Sequence, residues 1–336
     1  IIDGHCDLRD PSSILRLAEK YKPDLVDIGP EDALASGTVD LLQKYGFNVF
    51  GPGKKEAKLE SDKAYSKKFM LRKGILTAPF KVFRGINGVM SKLYADSLFR
   101  KNPDKVVYVK ASGPCGGKGA LRARGLEETL DAIKRMKDFG KAGKEFLIED
   151  AIEGEEFSYF VITDGRNYRV FKSAQDYKTL FDGNKGLNTG GMGAISPTLV
   201  TKDLEDKINR EIVEPTLIGL DEENRHYAGI LYIGEMSNKS DDSIKVVEYN
   251  ARWGDPECQV VLPSLQNDYV NIVLASIEGR LNEIPIIKQD NQARVCVVGA
   301  AKGYPGDSSQ AKGKRIYGLE DAMKVEGVRV YGAGIK

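Results

Sequence analysis

The chain has 336 residues, 41% of them apolar and 29% charged, with a formal net charge of +1. That length predicts two or three domains rather than one core. The near-neutral balance excludes a bulk field that would draw in nucleic acid or an anionic membrane, and no apolar run approaches the roughly 20 residues needed to cross a bilayer.

In chain order, residues 12–21 read as a helix, 23–29 as a short buried strand, 39–45 as a helix and 48–50 as a strand. This alternation predicts parallel pairing. Ser61 is the expected N-cap of a helix closed by Gly74. Residues 106–110 form a strand, 113–119 a glycine loop, and 120–122 resume a strand. Residues 126–139 have helical spacing, with acidic residues early, basic residues late and Gly140 after them. Residues 145–152 read as a strand, and 157–163 with 168–173 as a hairpin around Asp164-Gly165-Arg166. A helix over 201–214, a hairpin of 231–236 with 245–252, and a helix over 265–278 follow. The stretch 293–336 alternates strands and loops, with a short helix near 319–324. The pattern opens without its first strand and stops after one, so both ends read as incomplete.

Cys6, Cys115, Cys258 and Cys296 are scattered, which disfavours a zinc site or disulfide framework and fits a reducing cytoplasm. His5 and His226 have no metal spacing and receive no role.

Four stretches carry chemistry. The loop Gly113-Pro-Cys-Gly-Gly-Lys-Gly119 follows a strand ending in Lys110. Successive backbone N–H groups in such a loop can cradle phosphate oxygens. It is not a Walker A loop, since Ser112 stands where the first Gly belongs and Gly119 where Ser or Thr belongs. A plain turn explains the glycines equally well, but Lys110 and Lys118 place two cations around it. The second stretch is Val246-Val-Glu-Tyr-Asn-Ala-Arg-Trp-Gly-Asp255. Strand alternation points Glu248 and Asn250 to one side, with Arg252 in phase and Tyr249 opposite. A carboxylate beside an amide oxygen suits Mg²⁺. A solvated strand face accounts for Glu248 and Arg252, but less well for the dense Gly254-Asp255-Pro256-Glu257 run.

The third stretch, 175–193, is long, polar and glycine-rich. It is either a disordered surface loop or, as Phe181, Leu187, Met192 and the glycines at 190–193 favour, an ordered loop packed over a ligand. The fourth, Glu149-Asp-Ala-Ile-Glu-Gly-Glu-Glu156, joins two strands. There a carboxylate could accept two ribose hydroxyls and strand backbone could read an adenine edge, although an exposed acidic turn fits as well.

Together these stretches resemble the glycinamide ribonucleotide synthetase family of the ATP-grasp superfamily, in order and spacing from about residue 24 to 334. The matching strings include IGPEDAL (28–34), VFGPGKKEAKLESDKAYSKKFM (49–70), VKASGPCGGKGA (109–120), EGEEFS (153–158), SAQDYKTLFDGNKGLNTGGMGAISP (173–197) and VVEYNARWGDPECQVVLP (246–263). The resemblance implies an α/β fold: a Rossmann-like N-terminal part over 1–60, a central ATP-grasp over 61–280 with a mobile lid at about 81–148, and a partial, small C-terminal domain over 285–336. It implies ATP with Mg²⁺ or Mn²⁺, and ligation of glycine to 5-phosphoribosylamine, by a cytoplasmic monomer or homodimer without nucleic-acid or membrane partners.

By the same resemblance, Lys63, Lys110 and the loop Gly116, Gly117, Lys118 and Gly119 contact phosphate. Glu149 and Ile152 form the adenine hinge, and Glu156, with Glu155 second, holds ribose. Glu248 and Asn250 ligate the metal. Asp176, Lys178 and Arg252 serve catalysis, while Glu31, Asn188, Thr189, Gly190, Gly191, Met192, Gly193 and Asp255 handle the substrates. Tyr177 and Trp253 depart from the family pattern, where His and Phe are usual; Pro114-Cys115 replaces small residues. Glu235 replaces an apolar residue and reads as a solvent-facing carboxylate or, less simply, a third metal ligand. Another ATP-grasp ligase and a non-catalytic nucleotide-binding protein are the rival readings.

Overall fold

The structure is a computed structural model that describes residues 4–85, 88–116, 118–183, 185–238, 240 and 242–335. Two compact units divide the chain, 1–298 and 299–336. In the first, β1 (Val26–Asp27) and β2 (Val49–Phe50) pair in parallel, as the alternation predicts. The strands β3 (Phe80–Arg84), β4 (Val106–Ala111), β5 (Ala120–Arg124) and β6 (Glu145–Asp150) form an antiparallel sheet in the order β3-β6-β4-β5. Helices Val89–Lys101 and Gly125–Arg135 contribute Ala95, Phe99, Ala132 and Ile133 to a core with Val107, Val109, Phe146 and Ile148 of that sheet.

The remaining strands are β7 (Glu155–Asp164), β8 (Tyr168–Val170), β9 (Gln175–Asp176), β10 (Thr179–Phe181), β11 (Lys185–Asn188), β12 (Gly193–Ser196), β13 (Ala228–Asn238), β14 (Ser243–Asn250) and β15 (Arg294–Val297). A second antiparallel sheet runs β14-β13-β7-β8, and a smaller one β15-β12-β9. The central strands of the second sheet bury both faces. Tyr159, Val161, Leu231 and Ile233 pack on one side against Ile212, Val213, Leu217 and Leu220. Phe160, Ile162, Ile230 and Tyr232 pack on the other against Phe171, Val260, Ile272 and Val273. Successive side chains of a strand point to opposite faces, so two cores share one sheet.

Several boundaries move for identifiable reasons. Asp62, not Ser61, caps the helix Lys63–Arg72: its side chain accepts from Tyr65 N–H, while Ser61 ends a separate short turn, Lys58–Ser61. The helix expected to stop at 214 continues to Glu222 through a π-turn, Asn209–Val213. Pro215 cannot donate an intrahelical bond, and the helix widens ahead of it instead of ending. The helix after 265 begins only at Tyr269, capped by Asp268. Beyond β15 the described residues hold one short helix, Leu319–Met323, and a 3-10 turn, Ser309–Ala311, but none of the expected further strands. Frequent glycine turns interrupt the apolar alternation there.

One irregularity positions the site. Gly234 pairs with Glu248 and Glu235 with Val246, so Val247 is an extra residue, a β-bulge. A bulge switches which face the following residues take. Val246 and Tyr249 therefore both enter the core beneath the 202–222 helix, while Glu248 and Asn250 share the opposite face with their partners Gly234 and Tyr232.

Candidate active site

The helix Lys63–Arg72 and the glycine loop are joined at their starts. Lys63 N–H donates to Ser112 O at 2.8 Å, Ala64 N–H to Ser112 Oγ at 2.9 Å, and Ser112 Oγ to Asp62 Oδ1 at 3.0 Å. The loop then closes where Ala111 N–H donates to Gly119 O at 2.8 Å. Cys115 packs inside it, its thiol donating to Gly113 O, and a Cβ on Gly119 would lie 2.8 Å from Cys115 Sγ. The Pro-Cys departure is thus accommodated by glycine opposite it. Gly116 has φ +55°; Gly117 lies outside the described residues.

Behind the loop sits a buried triad. Lys67 Nζ is 3.1 Å from Glu149 Oε2, and Lys110 is ion-paired to the other Glu149 oxygen. All three side chains are at most 7% exposed. Burial alone would raise the Glu149 carboxyl, but the Lys110 and Lys67 ammoniums outweigh it and hold it below the ordinary range. Burial dominates at Lys67 and lowers its affinity for the proton despite Glu149. At Lys110, burial is overcome by Glu149 and Glu248, and the ammonium is firmly charged. Lys67 also donates to Thr77 Oγ1 at 2.6 Å, which donates to Val246 O at 2.6 Å, tying the triad to β14.

Glu248 is the meeting point of the two halves of the site. Burial opposes its charge, but Lys110, Lys63, Lys178 and Lys67 together hold its carboxyl below the usual range. Asn250 is 9% exposed, on the same face. Arg252 lies past the end of β14, so strand phase does not place it. Its guanidinium is held by Glu60 Oε1 at 2.9 Å and Glu31 Oε2 at 3.3 Å.

On the other flank, Lys178 Nζ stands 2.7 Å from Glu156 Oε1 and 3.2 Å from Asp176 Oδ1. Burial, above all, raises the Asp176 carboxyl. Thr189 N–H and Oγ1 both donate to Lys178 O, at 2.7 and 2.9 Å; Gly191 N–H donates to Thr189 Oγ1 at 3.0 Å, and Met192 N–H to Tyr177 O at 2.7 Å. Residues 189–192 are thus stapled onto 177–178. Gly191 has φ +127°, and a Cβ there would lie 2.4 Å from Pro256 Cδ, so the NTGG and GDPE strings interlock. Asp255 accepts from Gln259 Nε2 at 2.7 Å. Asn188 ends the β10–β11 hairpin opposite Thr179, and Gly193 opens β12, between β9 and β15. Ile152 is half-buried just past β6, and Glu155 is exposed at the start of β7.

One expectation is corrected, and burial places four further side chains. Glu235 is neither solvent-facing nor a metal ligand: it is 0% exposed, and alternation along β13 puts it on the core face with Leu231 and Ile233, opposite the face that Gly234 shares with Glu248. Phe181 and Leu187 are both more than 60% exposed on the β10–β11 hairpin, so neither anchors it to the protein. Tyr177 is likewise exposed, whereas Trp253 packs against Phe160 and Phe171 at 5.4 and 4.9 Å.

Comparison with known proteins gives the family. Residues 61–258 match the phosphoribosylglycinamide synthetase ATP-grasp (A) domain and residues 3–60 the N domain of the same synthetase. The chain is 40% identical over 331 residues to the phosphoribosylamine–glycine ligase of Chlorobaculum tepidum, covering 97% of this chain and 75% of that protein. The chain belongs to the phosphoribosylglycinamide synthetase family.

Two further family likenesses bound what it spans. It is 38% identical to the bifunctional purine biosynthetic protein of Dictyostelium discoideum, covering 99% of this chain but 43% of that one. The crystal structure of a phosphoribosylamine–glycine ligase from Thermotoga maritima superposes with a TM-score of 0.73 at 32% identity, covering 87% of this chain and 70% of that one. Within this family member the structure adds residues that sequence reasoning passed over. Lys67 and Glu60 read as ordinary helix charges, and only their burial against Glu149 and Arg252 distinguishes them. Ser112 and Glu257 lay inside strings already singled out.

Proposed function

We propose that this chain ligates glycine to 5-phosphoribosylamine at the expense of ATP, giving glycinamide ribonucleotide, ADP and phosphate. The observation that carries the reading is Glu248, held charged among Lys63, Lys67, Lys110 and Lys178, where the nucleotide-type half and the NTGG/GDPE half of the site converge.

A glycine carboxylate repels an attacking amine. Its oxygen would attack the γ-phosphorus of ATP, breaking the bond to ADP and forming an acyl phosphate. The amine nitrogen of phosphoribosylamine would then attack the acyl carbon, releasing phosphate and the nitrogen's proton. Positioning and charge neutralisation suffice for both steps. Lys63, Lys110 and loop residues Gly116 to Gly119 hold phosphate; Glu149 and Ile152 form the adenine hinge; Glu156, then Glu155, takes the ribose. Asp176, Lys178, Arg252, Glu31, Asp255 and the run Asn188 to Gly193 receive glycine and phosphoribosylamine. The 81–148 segment acts as a lid that shields the acyl phosphate from water.

The residues fit a hard divalent cation. Glu248 and Asn250 present a carboxylate and an amide oxygen on one face, the donors such an ion prefers. Among the described residues no group of three or more His, Cys, Asp or Glu could hold a metal, so phosphate and water oxygens would complete the shell of Mg²⁺ or Mn²⁺. When bound, the ion would neutralise phosphate charge. No helix among the described residues is long and apolar enough to cross a membrane.

The test is phosphate release with each substrate omitted in turn, and mass detection of glycinamide ribonucleotide. Turnover that requires ATP, glycine and phosphoribosylamine together is expected. Turnover with a different carboxylic acid in place of glycine, or ATP binding without turnover, would overturn the reading.

A further inference from the structure

Glu257 takes no part in the steps above, yet it is a buried carboxyl tied by hydrogen bonds to the sheet floor. It is 3% exposed. Tyr232 donates its hydroxyl to Glu257 Oε1 at 2.8 Å. Ser158 Oγ donates to the Tyr232 oxygen at 2.9 Å and lies 3.5 Å from the same Glu257 oxygen. These hydroxyls come from two neighbouring strands of the central sheet, and Tyr232 is the cross-strand partner of Asn250.

The carboxyl reaches Tyr232 by folding back over its own turn. A Cβ on Gly254 would lie 2.6 Å from Glu257 Oε2, so only glycine leaves room. The same turn presents Pro256 to Gly191 and Asp255 to Gln259. Ser158 extends the connection in the other direction: its N–H donates to Ala174 O at 2.7 Å and its carbonyl accepts from Ala174 N–H at 3.0 Å, immediately before β9 and Asp176. Glu257 thus links the sheet floor, the 254–257 turn, the 189–192 loop and the approach to Asp176 and Lys178. Its hydrogen bonds run to Tyr232 and Ser158, away from Lys63, Lys110, Glu149 and the glycine loop. Burial, then the nearby Asp176, raises the Glu257 carboxyl, so a neutral acceptor of the same shape should replace it well.

We infer that Glu257 is a positioning residue for the half of the site that receives glycine and phosphoribosylamine, acting through Tyr232 and through the Pro256–Gly191 contact. The inference rests on the ligase reading and assigns Glu257 to that half, not to nucleotide binding. A buried hydrogen-bonded tie of this kind matters because small misplacements of a reacting group cost far more in rate than in stability.

The test compares Glu257→Ala, Glu257→Gln and Tyr232→Phe with the unaltered enzyme, measuring kcat and KM for ATP, glycine and phosphoribosylamine separately. The unaltered enzyme is assayed first; if it does not ligate the two substrates, the ligase reading fails and takes this inference with it. In an active enzyme, Glu257→Ala and Tyr232→Phe are expected to lower kcat/KM for phosphoribosylamine about tenfold or more while the KM for ATP moves less than about twofold. Glu257→Gln, which keeps an acceptor oxygen for Tyr232, should recover most of the loss. Unchanged kinetics in Glu257→Ala, an equal rise in all three KM values, or a Gln variant as impaired as Ala would overturn the inference while leaving the ligase reading standing. Should Glu257→Ala fail to fold, Tyr232→Phe and Glu257→Gln decide by the same criteria.

Discussion

The Lys67 ammonium stands 3.1 Å from Glu149 Oε2, with both side chains only 4% exposed. Lys110 holds the other carboxylate oxygen, so one buried anion serves two cations. Removing one member of such a group leaves uncompensated charge, which costs about 3–5 kcal/mol. Glu149→Gln should therefore lower thermal stability and raise the KM for ATP, because Lys110 loses the partner that orients it. Lys67→Met should cost less, since burial already weakens its hold on the proton. Melting curves beside ATP titrations check both; equal losses in the two variants would refute the asymmetry.

Glu248→Gln combined with Asn250→Ala should lose about 10²–10³ in kcat while the circular dichroism spectrum stays native. The pair faces away from the core that holds Tyr249, so its removal does not open a cavity there. Metal titration of turnover gives the reading, and a variant with unaltered metal dependence would remove both residues from the ligand set.

Glu235 has both carboxyl oxygens buried and without hydrogen-bond partners. Burial raises its pKa well above the ordinary value. Tyr159 and Tyr249 are the titratable groups that feel its charge, and both stay neutral because burial pushes them far up. The sign follows from linkage. Below the unfolded value of about 4.3 both states carry the proton and Glu235 carries no ionisation penalty. As pH rises from there toward the folded pKa, the unfolded state sheds its proton first, and stability falls by about 1.4 kcal/mol per pH unit. Glu235→Leu should raise the melting temperature, with a gain over the parent that grows as pH rises from the unfolded value of about 4.3 toward the raised folded one. A gain independent of pH would show that the folded-state carboxyl is not the cause.

Gly191→Ala places a methyl group 2.4 Å from Pro256 at a backbone φ of +127°. A side chain there is strained by about 1–3 kcal/mol, and the loop must lift from the 254–257 turn. The expected result is a loss of about 100-fold in kcat/KM for phosphoribosylamine with ATP binding preserved. Loss of ATP affinity to the same degree would contradict the separation of the two halves.

Much of the site was legible because its parts lie in short, dense strings. The hairpin around Gly165 and the strand through Lys110 appear where turn chemistry and apolar pattern put them, and the NTGG and GDPE runs, singled out by resemblance, meet at Gly191 and Pro256. What escaped depends on tertiary contact. Lys67 and Lys68 are adjacent and chemically identical, and only the packing of their helix buries the first and exposes the second. Alternation correctly paired Glu248 with Asn250, but carried back unbroken it would put Val246 beside them rather than in the core, since an extra residue in a strand leaves no trace in composition. Exposure of Phe181 and Leu187 was equally hidden, because an apolar residue in a hairpin looks the same whether covered or not.

The unpaired Val247 makes length unequally free along this hairpin. Deleting Val247 itself would restore plain alternation and leave Val246 and Tyr249 facing the core, with Glu248 and Asn250 still facing the cleft. Adding one residue between Glu248 and Asn250 would instead turn the carboxylate and the amide to opposite faces of the strand.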